Sequence, residues 1–159
     1  MAIQFDTQWI VGFTDGEGCF HVGLNSNPQL RFGYQILPEF VIVQHARDLP
    51  LLQNLKTHFG CGVVRLSRRH GTGAVYAYRV RGLRHLDEII IPFFEKHPLK
   101  TQKRLDFLFF KGIVRQLIKK DHLEAESFRG LVEKIQQWRK KNGTLIPTVP
   151  VPGGLVSDS

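Results

Sequence analysis

The residues best placed to do chemistry stand in the stretch Ile10-Val11-Gly12-Phe13-Thr14-Asp15-Gly16-Glu17-Gly18. Two carboxylates are separated by one glycine and followed by another. Carboxylates are hard oxygen donors of the kind that can hold a divalent cation or move protons. Taken alone, Asp-Gly-Glu-Gly is an acidic turn of a frequent, structural kind. The surroundings change its meaning. An apolar helix with a small residue, Gly12, on its face ends abruptly in a carboxylate, and strand-like segments in a basic chain follow.

That basic character is pronounced. The 159 residues include 22 Lys and Arg against 14 Asp and Glu, for a net charge of +8 with His neutral, and 42% are hydrophobic. These are proportions of a globular chain rather than a disordered one, and the length suits one domain with its own core. The charge is uneven. Between Gly62 and Arg84 stand Arg65, Arg68, Arg69, Arg79, Arg81 and Arg84 with no acid among them, and residues 100–141 hold twelve basic residues against five acidic ones. A polyanion is the expected partner, nucleic acid before anionic membrane, because no basic amphipathic helix with a broad aromatic face stands out. No apolar run approaches the ~20 residues that cross a bilayer, and a secretory signal is not expected. Cys19 and Cys61 form no Cys-x-x-Cys pair, which argues against a disulfide framework or a structural zinc site and fits a reducing compartment. Both read as small packing residues. The seven histidines lack metal spacing, and His45 reads as structural.

The positioning elements follow from local pattern. Asp6 or Thr7 caps a helix that should stop at Asp15-Gly16-Glu17-Gly18. Cys19 to Asn25 alternates as a half-buried strand with Phe20, Val22 and Leu24 inward. A turn at Asn25-Ser26-Asn27-Pro28 leads to a second strand from Arg31 to Val43, in which Pro38 suggests a bend or bulge. Asp48-Leu49-Pro50 opens a helix and Gly60 closes it. Val63 to Arg69 and Val75 to Val80 form two more strands about a hairpin loop at His70-Gly71-Thr72-Gly73. A helix over Leu83 to Ile91 should kink or restart at Pro92. Lys103 to Lys119 is amphipathic through Leu105, Leu108, Phe109, Ile113 and Leu117. Asp121 could cap a last helix carrying Phe128, Leu131, Val132, Ile135 and Trp138. Residues 1–141 read as one domain, and 142–159, rich in Pro and Gly, as an extended tail. Antiparallel strand pairs with helices on one face make an α+β layer, an αββαββα core with further C-terminal helices. The other sheet face stays open, and a curved sheet of donors and acceptors can enter the major groove.

The nine-residue stretch, with this element order and Phe59-Gly60-Cys61-Gly62 ahead of the third strand, resembles the LAGLIDADG homing endonucleases over roughly residues 5–119. Departures from the signature are Ile10, Val11, Phe13, Thr14 and Gly16, and Glu17 where the name carries Asp; Glu keeps the carboxylate. The resemblance implies a site-specific, intron-encoded nuclease that makes double-strand cuts in a long pseudo-palindromic DNA site with a divalent metal, Mg²⁺ or another such as Mn²⁺. One motif implies a homodimer, since cutting two strands needs two reaction centres and a twofold supplies the second. Trp9, Gly12, Phe13 and Asp15 of the motif helix are the implied dimer contact, with Gly12 allowing two helices to cross closely. The implied metal ligands are the Glu17 side chain and the Gly16 carbonyl. Gln44 resembles the family's water-ordering polar residue and Lys100 its active-site lysine; Arg47 stands beside Asp48, the position where the family often has a further basic residue.

For base reading, the expected outward residues are Asn25, Gln29, Arg31, Gln35 and Glu39, followed by Arg65, Ser67, Arg69, Tyr76 and Tyr78. Arg can fork onto guanine, and Gln or Asn onto adenine. Loop and C-terminal Lys and Arg should grip phosphate. Two other classes compete with the double-stranded-DNA nuclease: a non-cleaving binder of the same fold, such as an intron RNA maturase, and a ribosome-associated RNA-binding protein. The carboxylate of Glu17 favours the enzyme.

Overall fold

The structure, a computed structural model, describes residues 3–70, 73–119 and 124–143. The centre of the hairpin loop at Gly71 and Thr72, Asp121 as a cap, and the proline-rich segment 144–159 lie outside those residues. The elements run α1 (Thr7–Glu17), β1 (Gly18–Ser26), β2 (Tyr34–His45), a 3₁₀ turn (Ala46–Asp48), α2 (Leu49–Phe59), β3 (Val63–His70) and β4 (Gly73–Val80). Then follow α3 (Leu83–His85), a π turn (Leu86–Ile90), α4 (Ile91–Lys96), α5 (Lys103–Ile118) and α6 (Ala125–Asn142). The expected α+β architecture is present, with one antiparallel sheet in the order β1-β2-β4-β3.

Local chemistry explains most boundaries. The Asp6 carboxylate accepts from the N–H groups of Gln8 (2.8 Å) and Trp9 (3.1 Å) and so starts α1. Pro50 lies in the first turn of α2, and Gly60 ends it in the left-handed region, donating its N–H to Lys56 O. Two features differ from expectation, and a third, the restart at Pro92, takes a particular form. Arg31 and Phe32 belong to a turn, held by Asn27 N–H to Gly33 O (2.8 Å) and Gly33 N–H to Leu30 O (3.0 Å), so β2 begins at Tyr34. Pro38 causes no bulge: the β1–β2 register runs unbroken from Gly18↔Ile42 to Ser26↔Tyr34, and β4 pairs with β2 only from Phe40 onward, so no β4 residue needs an N–H from Pro38. The helix before Pro92 restarts through a π turn, in which the N–H of Ile91 reaches back five residues to Leu86 O. That widened turn admits a residue that can neither donate nor tolerate the carbonyl four positions earlier.

One face of the sheet builds the core. Phe20 of β1 stacks on Phe40 of β2 (5.1 Å) and meets Phe94, Phe107 and Phe110 at 5.1–5.4 Å. Such aromatic contacts add roughly 0.5–1.5 kcal/mol each beyond their area. They also decide which stripe of α5 turns inward: Phe107, Phe110, Ile113, Val114 and Leu117 are buried, while Leu105 and Leu108, expected on the apolar face, are exposed. At the sheet edge, α6 lies along β1, where Arg139 donates to the carbonyl of Val22 (3.0 Å) and Trp138 stacks on Phe109 (4.4 Å). An edge carbonyl is thereby taken by a side chain instead of being left to a stray strand.

Gly62 closes the path from α2 into β3. Its φ is +82°, and a Cβ there would stand 2.7 Å from Arg79 O and 2.7 Å from Tyr78 Cε2. Gly62→Ala should therefore lower the unfolding free energy by at least about 2 kcal/mol, combining left-handed strain with overpacking. Urea denaturation measures this, and an unchanged midpoint would contradict the geometry.

Candidate active site and nucleic-acid face

The helix α1 ends inside the Asp15-Gly16-Glu17-Gly18 segment, as its glycines suggest, running through Glu17 to a cap at Gly18. Partners remote in sequence hold that last turn. The Asp15 carboxylate accepts from the N–H of Lys100 (2.8 Å), the N–H of Thr101 (3.2 Å) and the Thr101 hydroxyl (2.7 Å). Partial burial pushes the Asp15 pKa up, but these donors, with Lys103 nearby, outweigh it and leave the carboxyl below its ordinary value. Lys103 Nζ donates to the carbonyl of Thr14 (3.1 Å), placing a cation on the negative end of the helix. Asp15, placed by sequence reasoning at a dimer contact, is thus engaged within its own chain, because its oxygens are the only carboxylate acceptors bonded to the α4–α5 junction among the described residues.

Glu17 remains exposed, and its carboxylate accepts from Gln44 Nε2 at 3.1 Å. Gln44 sits near the end of β2, opposite Tyr76. Lys100 is fastened by its backbone to Asp15, two residues before Glu17, while its side chain stays exposed. Three of the four nominated residues therefore converge: Glu17, Gln44 and Lys100. Arg47 does not join them; its side chain is 80% exposed and makes a loose 3.4 Å pair with Asp48. Sequence reasoning missed Thr101 and Lys103, and the signal was small: both flank Lys100, but only the fold shows that they serve α1.

As a cation site, this end of α1 offers oxygen only. Glu17 presents an exposed carboxylate, and Gly16 lies in the last turn, where carbonyls lack intrahelical partners. Among the described residues no three His, Cys, Asp or Glu side chains gather as a metal cage. The donor set fits a hard, water-retaining cation that takes few ligands from this chain.

Register assigns the open sheet face. Tyr78 lies opposite Ile42 and Val64, and Tyr76 opposite Gln44 and Leu66. Tyr78 is fully buried, donates its hydroxyl to Cys61 O (3.1 Å) and has its phenol pKa pushed far up by burial; Tyr76 packs on the core. Neither tyrosine is a base reader: alternation showed that they share a face, and that face is the inner one. The outer face carries Asn25 opposite Gln35, both exposed, and Arg65 opposite Ala77. Gln29 and Arg31 sit in the β1–β2 turn, where Gln29 N–H donates to Asn27 Oδ1 (3.1 Å) and the Arg31 guanidinium lies 5.1 Å from the Phe32 ring centroid. Ser67 falls at a register shift between Leu66 and Arg68; the extra residue sets Arg68 opposite Val75, and Arg69 pairs with Ala74.

Glu39 is on the outer face yet buried, because Arg79 donates to both its oxygens (3.0 and 3.1 Å) and Arg81 Nε donates to one (2.6 Å). It is not free to read a base, contrary to expectation. Opposite it, burial pushes the His21 imidazole pKa down; Glu39 pulls it up, and Arg139, Arg79 and Arg81 oppose that pull.

Along α1 runs an apolar stripe that is exposed at Trp9 and half-buried at Phe5 and Phe13, which also pack on the core. Phe5, Trp9 and Phe13 stack in a ladder at 4.7 and 4.9 Å, and Trp9 is exposed. Gly12 and Gly16 lie on the exposed surface of the helix, with nothing within 4 Å of where a Cβ would stand. Among the described residues no helix is long and apolar enough to cross a membrane.

Comparisons with known proteins agree with this geometry. A LAGLIDADG endonuclease family model matches residues 10–114. A Podospora anserina protein described as an uncharacterized 50.9 kDa protein in ND4 intron 1 is 35% identical over 120 residues, covering 74% of this chain and 26% of its own. The probable intron-encoded endonuclease 2 of Neurospora crassa is 32% identical over 125 residues, covering 79% of this chain and 27% of its own. The chain thus spans about a quarter of the length of these curated relatives. Among solved structures, the homing endonuclease I-TnaI is 43% identical with a TM-score of 0.75, covering 85% of this chain and 88% of that one. I-LtrWI bound to target DNA is 29% identical with a TM-score of 0.77, covering 84% of this chain and 44% of that one. The motif, its fold and these relatives agree: the chain belongs to the LAGLIDADG endonuclease family.

Proposed function

We propose that two copies of this chain form a site-specific DNA endonuclease that cuts both strands of a long, roughly palindromic site. The observation that carries this reading is Glu17, an exposed carboxylate bonded to Gln44, with Lys100 tied to the same helix end through Asp15 and an arginine-bearing sheet face adjoining it. One such carboxylate serves one strand. Exposed Trp9, stacked between half-buried Phe5 and Phe13 and beside the bare Gly12 and Gly16, supplies a face that would bring two Glu17 side chains beside a twofold axis. Coverage of 44% of the DNA-bound I-LtrWI chain is consistent with half of a complete nuclease.

Glu17 and the Gly16 carbonyl would hold Mg²⁺, or another divalent ion such as Mn²⁺, which when bound lowers the pKa of water and stabilises the leaving oxygen. Gln44 holds the Glu17 carboxylate in orientation and can order water. Lys100 meets the charge of the phosphate, and Asp15 holds Lys100 in register. The open sheet face reads bases while peripheral Lys and Arg bind phosphate.

Three outcomes are expected. Glu17→Gln should lower cleavage of a selected DNA site by on the order of 10²–10³-fold or more while binding persists; full cleavage by this variant would remove the carboxylate from the chemistry. Gly12→Leu should abolish the dimer, halving the mass seen by light scattering; an unchanged dimer would exclude α1 as the contact. Asp15→Asn should destabilise the fold at neutral pH. Because folding depresses the Asp15 pKa, its stabilisation is present above the unfolded value of about 3.9 and is lost as pH falls through the lower folded value. Urea midpoints of wild type and variant should converge below about pH 4, and a constant gap would contradict the assigned contacts.

A further inference from the structure

The ion cluster on the outer sheet face is built differently from the rest of that surface. Its side chains are not equally accessible: Glu39 is 10% exposed and Arg79 16%, whereas Arg81 is 57% exposed. Arg79 takes both carboxylate oxygens through one nitrogen, and Arg81 gives only its Nε. Both terminal nitrogens of Arg81 therefore make no hydrogen bond among the described residues, at the end of a side chain anchored at its inner nitrogen. Two cations on one carboxylate also leave a surplus positive charge where β4 ends beside β2. A buried ion pair contributes little net stability, since desolvation consumes most of the attraction. Orientation of the exposed guanidinium is what the arrangement provides.

We infer that Arg81, oriented by Glu39 with Arg79 behind it, is a specificity-determining fork that reads a guanine in each half-site. Guanine offers O6 and N7 as adjacent acceptors in the major groove, which two parallel guanidinium donors match. Phosphate would accept the same fork, but the two residues that orient it, Glu39 and Arg79, stand on the central strands β2 and β4, and Arg81 is the first residue past β4. His21 pairs with Glu39, and Phe40 pairs with Val80, so Arg81 is level with Glu39 and His21 across the sheet. His21 is four residues along β1 from Glu17, or about 13 Å at ~3.3 Å per residue. Glu39 is a positioning residue here: without its carboxylate, Arg81 keeps its charge but loses its aim. Lysine at position 81 would keep charge and lose the fork.

This inference rests on the DNA-cutting reading above, so its test reads binding rather than cutting. Wild type, Glu39→Gln and Arg81→Lys are each used to select from a randomised duplex library with Ca²⁺ in place of Mg²⁺, and bound DNA is sequenced. Wild type should prefer guanine at one position per half-site by about 5- to 150-fold. Both variants should reduce that preference to below roughly threefold and leave the other positions unchanged. Melting curves accompany the selection; Arg81→Lys changes an exposed tip and decides the matter alone if Glu39→Gln does not fold. A guanine preference that survives Arg81→Lys overturns the inference, as does an equal loss of affinity for every sequence, which would make the cluster a phosphate clamp. Selection of a defined site by wild type with either of those results sinks this inference alone, whereas no enrichment by wild type sinks the endonuclease reading with it.

Discussion

Carboxylates are unfavourable in the last turn of a helix, where unpaired carbonyls already concentrate negative charge. This chain puts two there, Asp15 and Glu17, and the surrounding structure compensates. Backbone N–H groups of Lys100 and Thr101, the Thr101 hydroxyl, the Lys103 ammonium and the Gln44 amide all point at that turn. These donors come from two places only, the end of β2 and the junction before α5. The path of β2 and the start of α5 are therefore set by what α1 needs at its end. The π turn belongs to the same constraint, since it carries the chain past Pro92 without leaving the helix that leads to Lys100.

Glu17 and Asp15 divide the work that compensation allows. Asp15 spends its acceptors on the fold, which draws its pKa down and ties α1 to α5. Glu17 has one protein donor and an exposed carboxylate, so it keeps acceptor capacity for a cation. The same division appears on the sheet, where Glu39 is consumed by two arginines and Arg81 is left outward. In each case an acid engaged in the fold stands beside an exposed polar group left free.

Much of this was legible in the sequence because it is local. Asp6 as a cap, Pro50 and Gly60 as the bounds of α2, the order of elements along the chain and the motif itself depend on residues a few positions apart. What failed depends on the third dimension. Alternation groups Tyr76 with Tyr78 but does not say which side is inside; cross-strand pairing with Ile42 and Val64 decides it. The two apolar stripes of α5 look alike until Phe20 selects the one with Phe107 and Phe110. Glu39 reads as an outward acceptor until Arg79 and Arg81 arrive from about forty residues away. Within the site, Glu17, Gln44 and Lys100 were nominated by motif position, whereas Thr101 and Lys103 needed the contact between α1 and α5.

The junction between α1 and β1 contains no loop: Glu17 ends the helix and Gly18 begins the strand. A side chain at position 18 would collide with Thr14, 2.6 Å from its Cγ2, so the junction cannot be padded. The group that would cut and the strand that would read are consecutive residues of one stiff piece of backbone. There is no mechanical slack between them. Were β1 to ride high on a poorly matched base pair, the misfit would be carried to Glu17 as displacement rather than absorbed, and a carboxylate moved by even an ångström would be poorly placed to act. Fidelity in such a chain is a matter of leverage as much as of affinity.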